Sequence, residues 1–212
     1  LNKLKTTERI NTFGGSYKLG RFTIQDDHKA QMMSPEDILV YSSNIGMIQI
    51  AKRLSNFEII AGLKIFHFGE KSGIDLPYEQ KGELPEPKRL REIEKSVLSY
   101  GYGLKTTFIQ LLAAYNVFNN EGIYIAPKIG EKVFQNGKFS TLYGEQKGEK
   151  ILPKSANETM KKMLIAAIEK GTGKKAFTEG LIIGGKTGTA RIAQKGGYTG
   201  NRYNASFFGF AN

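Results

Sequence analysis

The sequence predicts an α+β domain. Its middle carries helix signals with recognisable starts and stops, two strand-like runs joined by a glycine-rich loop close it, and one strong hairpin signal, Asn136-Gly137, lies between. With 212 residues and no internal repeat, the chain reads as one compact unit able to bury a substantial core.

Residues 11–33 alternate short apolar pieces with Gly15, Gly20 and the acidic "QDDH", which predicts extended chain with turns. Ser34 then offers a helix cap, Pro35 suits the first helical position, and Glu36 and Asp37 complement the dipole of a helix starting near Pro35. That helix should break around Ser42 to Asn44, because serine and asparagine compete for backbone hydrogen bonds, and resume in "IGMIQIAKRLS". A further helix is expected from about Phe57 to Phe68, stopped by Gly69, and then a proline-bearing loop from Lys71 to Arg89. Thr107 to Asn120 has apolar residues at helical spacing before Gly122. Ser155 with Glu158 forms a capping-box pattern for a helix through Met163, Ile165 and Ile168, ended by Gly171. The strands "LIIGGKTGTARI" and "NASFFGF" follow, joined by a glycine-rich loop.

Composition excludes some functions. There is no cysteine, hence no disulfide or thiolate metal site. The formal charge of +11 favours acidic partners, yet the lysines interleave with glutamates, as in "GEQKGEK", and read mostly as solvated surface. Asp26-Asp27-His28 reads as a solvated loop rather than a metal site, since three successive residues do not all face one ion. Tyr100 and Tyr102 carry no nucleic-acid-binding fingerprint around them, and Phe207, Phe208 and Phe210 read as sheet packing. No apolar run is long enough to span a bilayer, and the first residues are not a signal peptide.

"EGLIIGGKTGTA" admits two readings. Gly180, Gly185, Lys186 and Thr187 fit the spacing of a phosphate-binding loop. Such a loop needs a strand before its first glycine and a helix starting at the lysine; here strand formers fill the loop and "GTARIAQKGG" starts a helix poorly. Read instead as a strand, the segment places Lys186 and Gly188 on one face and Thr187 and Thr189 on the other. Gly184, Gly185 and Gly188 would let a ligand or backbone approach closely, an exposed edge would accept an extended peptide, and the cation and hydroxyls would attract a carboxylate.

Lys186-Thr187-Gly188-Thr189, with Ser42-Ser43-Asn44 far upstream, resembles two motifs of penicillin-binding proteins and serine β-lactamases. "GGSYKLGRFTIQDDH", "SGIDLPYEQKGELP" and "LSYGYGLKTTFIQLLAAYNVFNNEG" extend the resemblance over nearly the whole chain, most closely to class B penicillin-binding proteins of the cell-division septum. It implies a partial transpeptidase domain over 1–212: a mainly helical region at about 34–122 with the Ser-x-Asn motif, and a hairpin, helix and sheet region at 123–212 with Lys-Thr-Gly-Thr. It further implies that Ser42 relays a proton, that Asn44 holds the substrate amide and the catalytic lysine, and that Lys186 supports proton transfer. Thr187 and Thr189 would take the substrate carboxylate, with Gly188 between them, and the Thr189 amide would face the oxyanion.

The family's nucleophile, a serine with lysine three residues later, is absent: no serine here has that neighbour. The expectation is a truncated transpeptidase domain, inactive alone, whose nucleophile lies upstream; the alternative is a non-catalytic homologue that binds cell wall or divisome, and a D,D-carboxypeptidase or nucleotide binder ranks lower. The resemblance implies peptidoglycan stem peptides and β-lactam antibiotics as ligands, divisome membrane proteins as partners of the intact protein, and action at the periplasmic or outer face of the inner membrane through an anchor absent from this chain. It implies no cofactor, no metal and no nucleic acid.

Overall fold

The computed structural model describes residues 3–142, 147–191 and 203–212. Near the start, β1 (Ile10–Asn11), β2 (Ser16–Leu19), β3 (Phe22–Gln25) and β4 (Met32–Met33) form two short antiparallel pairs, β1 with β4 and β2 with β3. The extended reading of this segment holds, but its acidic turn is not solvated throughout. Asp26 is buried, and His28 stacks on Tyr41 with ring centroids 4.0 Å apart.

The helix starts follow local chemistry. Helix α1 (Pro35–Val40) opens with a reciprocal cap: Ser34 Oγ accepts the Asp37 N–H at 3.1 Å, and the Asp37 carboxylate accepts the Ser34 N–H at 2.9 Å. A cap of this kind contributes on the order of 1 kcal/mol. The break falls where expected, with Tyr41 to Ser43 separating α1 from α2 (Asn44–Ala51). Ser43 caps α2 by accepting the Gly46 N–H at 2.8 Å. Ile45 and Ile48 of α2 are fully buried, so packing rather than length stabilises this eight-residue helix.

Helix α3 (Asn56–Ile65) ends before the expected Phe68, because the Phe66 N–H turns back to Leu63 O and His67 adopts a left-handed φ of 60°. The proline-bearing stretch after it is irregular, as expected, and α4 (Glu92–Leu98) follows unanticipated. Flanking proline and glycine runs leave only two turns of helical spacing to read there. Helix α5 (Phe108–Asn119) is capped by Thr107 and stopped by left-handed Glu121 and Gly122.

β5 (Ile123–Tyr124) precedes a hairpin of β6 (Lys132–Gln135) and β7 (Lys138–Thr141), turned by Asn136 and Gly137 at φ 52° and 78°. Both residues at positive φ are what a two-residue hairpin turn with the strands' own twist requires. β8 (Glu149–Lys150) pairs with β5.

The expected capping box at Ser155 and Glu158 is not formed. Helix α6 (Lys154–Glu169) starts earlier, with Pro153 in the cap position at φ −60° and ψ 146°. Ser155 therefore lies inside the first turn, where its side chain has no cap to make.

The chain closes with β9 (Ile183–Arg191) and β10 (Tyr203–Ala211), a nine-pair antiparallel ladder that sets Lys186 opposite Phe208. The loop between them lies outside the described residues. Helix α6 packs on α1 and on β9, with Val40, Ala166 and Ala167 forming the buried contact. Phe208 packs against Phe108 and Tyr115 of α5 at 5.2 and 5.7 Å, so this aromatic is sheet packing as expected.

Two strand glycines serve a different end from the open face expected of them. A Cβ on Gly184 would meet the Phe210 ring at 2.3 Å, and one on Gly185 the Phe207 ring at 2.7 Å. Rings from β10 lie across these positions, so the missing side chains make room for aromatics and not for a ligand.

Candidate active site

The contact of α1 with α6 builds one wall. A Cβ on Gly171 would lie 2.3 Å from the Val40 carbonyl oxygen, so only glycine lets the turn after α6 approach the end of α1 this closely. The Thr172 N–H then donates to that same Val40 oxygen at 3.3 Å. Ser42, two residues beyond Val40, and Thr172 are thereby fixed beside each other.

Ser42 adopts φ 59°, the left-handed region that costs a non-glycine residue roughly 1–2 kcal/mol. Strain of this kind persists where surrounding structure dictates it, and it concentrates at functional sites. Neighbouring Ser43 and Asp26 supply the restraint: the Ser43 hydroxyl donates to Asp26 Oδ2, and Asp26 Oδ1 accepts the Asn44 and Ile45 N–H groups at 2.8 and 3.2 Å.

Strand β9 supplies the opposite wall. Lys186 Nζ donates to Ser42 Oγ at 3.0 Å, to Thr172 Oγ1 at 3.2 Å and to the Thr187 carbonyl at 3.3 Å. Burial pushes the Lys186 ammonium below the ordinary lysine range. Thr187 Oγ1 donates to Thr172 Oγ1 at 2.9 Å. The alternation expected along β9 would have kept Lys186 and Thr187 apart; both reach Thr172 because it stands beside the strand, where side chains from both faces can bend to it.

Ladder phase decides which backbone groups of β9 are available. Ile182 and Asn212 exchange reciprocal N–H···O bonds at 3.0 Å, and the register runs unbroken from there. Even-numbered residues of β9 therefore bond to β10, and odd-numbered ones, Thr187 and Thr189 among them, turn their N–H and C=O groups away. Among the described residues that outer edge pairs with no strand.

A groove of about 560 Å³ lies along this edge, lined by Ser42, Asn44, Thr172, Thr187 and Thr189, with Asp27, His28, Tyr41 and Lys170 around them. Asn44 also borders a second cleft, shared with β3, Tyr100 and Tyr102. Ser42, Asn44, Lys186, Thr187 and Thr189 thus converge, and Gly188 lies between the two threonines on β9. Lys186 sits in mid-strand with no helix starting at it, so the phosphate-loop geometry is not formed. Motif reading missed Thr172 and Asp26. A glycine-flanked threonine and one acidic residue among three polar ones carry no local sign of contacts made across the fold.

Residues 1–212 match the penicillin binding protein transpeptidase domain. The chain belongs to that family. Among its relatives, stage V sporulation protein D of Bacillus subtilis is 31% identical over 177 residues, which is 82% of this chain and 27% of that protein. The probable peptidoglycan D,D-transpeptidase PenA of Neisseria meningitidis is 28% identical over 210 residues, covering 99% of this chain and 34% of that protein. The chain spans about a third of the length of these curated relatives. Among solved structures, the transpeptidase domain of penicillin-binding protein 3 from Burkholderia pseudomallei superposes with a TM-score of 0.86 at 27% identity, over 98% of this chain and 60% of that one. Over the part of that structure it spans, the chain has the α+β fold of the transpeptidase domain.

Proposed function

We propose that the protein carrying these residues is a peptidoglycan D,D-transpeptidase of cell division, and that this chain forms two walls of its site. The observation that carries the reading is the 3.0 Å contact between Lys186 Nζ and Ser42 Oγ, beside an open strand edge. An extended stem peptide adds to that edge by main-chain hydrogen bonds. Its terminal carboxylate meets the Thr187 and Thr189 hydroxyls near the Lys186 charge, and the Asn44 amide holds the peptide bond before the scissile one. In the reaction, a serine hydroxyl attacks the carbonyl of the penultimate D-alanine and its proton passes by way of Ser42 to the departing D-alanine. The amine of a neighbouring stem peptide then attacks the ester, forming the cross-link and returning the serine hydroxyl. The Thr189 N–H, turned away from β10, would donate to the oxyanion in this reading; donors in that role contribute about a hundred- to thousand-fold in rate.

No serine of the 212 residues has lysine three positions later, so the attacking serine is assigned to the gene product outside them. β-Lactams, which carry a carboxylate beside a reactive amide, are expected ligands, and action at the extracytoplasmic face follows from the substrate. Among the described residues no helix is long and apolar enough to cross a membrane.

The test is labelling of the full gene product with a fluorescent penicillin, read by intact mass. Transpeptidase function requires one penicilloyl increment on a Ser-x-x-Lys serine. An increment on Ser42 would reassign the nucleophile. A folded full-length protein that takes no label would favour the second reading, a non-catalytic wall-binding or divisome-binding module, which the missing motif recommends.

A further inference from the structure

The Ser-Ser-Asn turn is held from behind by a single carboxylate. Asp26, 5% exposed, directs every hydrogen bond to its side chain among the described residues at positions 43 to 45: the Ser43 hydroxyl, the Asn44 N–H and the Ile45 N–H. With Ser43 Oγ accepting from the Gly46 N–H, the first three amides of α2 are all satisfied. They need partners, since the opening N–H groups of a helix have none within it. A carboxylate here also meets the positive end of the helix dipole, which compensates its removal from water.

The loop that carries Asp26 is fastened without its side chain. The Asp26 N–H donates to Gly15 O at 3.0 Å, buried Thr12 donates through Oγ1 to Ala30 O at 2.6 Å, and its N–H donates to Gln31 O at 2.9 Å. Helix α2 is likewise held by its own buried isoleucines. The carboxylate is therefore free to serve one local purpose. It sets the orientation of the Ser43–Asn44 peptide, and with it the left-handed Ser42 on one side and the direction of the Asn44 side chain on the other.

We infer that Asp26 is a positioning residue for acyl transfer, acting through Ser43 and the start of α2 to hold Ser42 at Lys186 and Asn44 at the groove. It is Asp27, and not Asp26, that lines the groove. The inference rests on the transpeptidase reading of Ser42, Asn44 and Lys186. Replacing Asp26 by asparagine keeps the shape but turns one acceptor into a donor, so the buried Ser43 hydroxyl loses the acceptor for its proton. The turn then relaxes while the loop and helix stay folded.

The experiment measures penicillin acylation of the full gene product at increasing penicillin concentration, for wild type, Asp26→Asn, Ser43→Ala and the double variant, at a temperature where circular dichroism shows each folded. A positioning role predicts a limiting rate 10- to 100-fold lower for Asp26→Asn, with the half-saturating concentration changed less than threefold. Ser43→Ala, which leaves two of the three bonds, loses about two- to tenfold, and the double variant loses no more than Asp26→Asn alone. A folded Asp26→Asn within twofold of wild type, a loss confined to half-saturation, or additive losses would each overturn the inference while leaving the transpeptidase reading intact. Should Asp26→Asn not fold, Ser43→Ala decides: a limiting rate within twofold of wild type overturns it. A wild type that takes no penicillin overturns both.

Discussion

Lys186 Nζ donates to Ser42 Oγ across 3.0 Å, joining positions 144 residues apart in the chain. The bond ties the turn between α1 and α2 to the middle of β9, and Thr172 completes it from the turn after α6. Replacing Lys186 by alanine in the full gene product removes the donor to Ser42 and the charge beside the proposed carboxylate site. The acylation rate is expected to fall at least a hundredfold, while the melting temperature moves by only a few degrees, since the side chain is half-buried against Ser42 and Thr172 and is not part of the core. Stopped-flow acylation and calorimetry read the two effects; a rate within fivefold of wild type would remove Lys186 from the chemistry.

Ser42 stores the strain of its left-handed backbone. Ser42→Gly relieves that strain but adds flexibility to the unfolded chain, two effects of about 1 kcal/mol each and of opposite sign. The expected outcome is a protein within ~1 kcal/mol of wild type in urea titration, because the two effects oppose each other, whose acylation is slowed tenfold or more if the Ser42 hydroxyl relays the proton as proposed. Loss of more than 2 kcal/mol would show that the hydroxyl holds the fold together instead.

Thr172 touches both Lys186 and Thr187 through one hydroxyl. Thr172→Val keeps the shape and removes both bonds, and with a net worth of about 0.5–1.5 kcal/mol per hydrogen bond the rate should drop by about fivefold to 150-fold. Serine at the same position retains the hydroxyl and should recover most of the rate. If Thr172→Ser is as slow as Thr172→Val, restoring the hydroxyl does not restore the rate, and the role assigned to its two bonds fails.

Much of the fold is legible locally. Ser34 announces its helix, and Asn136-Gly137 announces its turn, because each acts on backbone groups within four residues. Helix α6 was misplaced at its start because Pro153 and Ser155 both carry helix-start chemistry and only packing selects between them. The site was legible as a pair of motifs, Ser42 to Asn44 and Lys186 to Thr189, recognised together. Asp26 and Thr172 were not, since a buried cap and a shared hydroxyl exist only once distant segments meet. Gly184 and Gly185 misled for a related reason: a bare strand reads the same in sequence whether a ligand or a phenylalanine ring covers it.

Gly184 provides a check on that last point. Alanine there would place its Cβ 2.3 Å from the Phe210 ring, and displacing the ring should cost about 1–3 kcal/mol. For a domain of this size the melting temperature should fall by roughly 2–4 °C per kcal/mol. The double variant Gly184→Ala with Phe210→Leu should lose less than the sum of the two single changes. Strict additivity in calorimetry would mean that the ring does not lie over Gly184.

Lys186 also ties stability to pH. Burial lowers its pKa in the fold, whereas the unfolded chain titrates near the free-lysine value of about 10.4. Below the folded value both states are protonated, and the fold bears the whole cost of burying the charge. Between the two values the unfolded state binds more protons, so this contribution to stability improves as pH rises; above the unfolded value both are neutral and the cost is gone. Lys186→Met removes the group, so its stability advantage over wild type is expected at neutral pH and should shrink as pH climbs toward 10. Acylation should move the other way, declining on the alkaline side at a pH below that of a free lysine, because the bond to Ser42 and the attraction for a carboxylate both use the ammonium. Urea titrations of both proteins from pH 7 to 10, beside the pH profile of wild-type acylation, test the linkage. An advantage for Lys186→Met that grows with pH would show that Lys186 is stabilised as a cation by the groove, reversing the assigned direction of its shift.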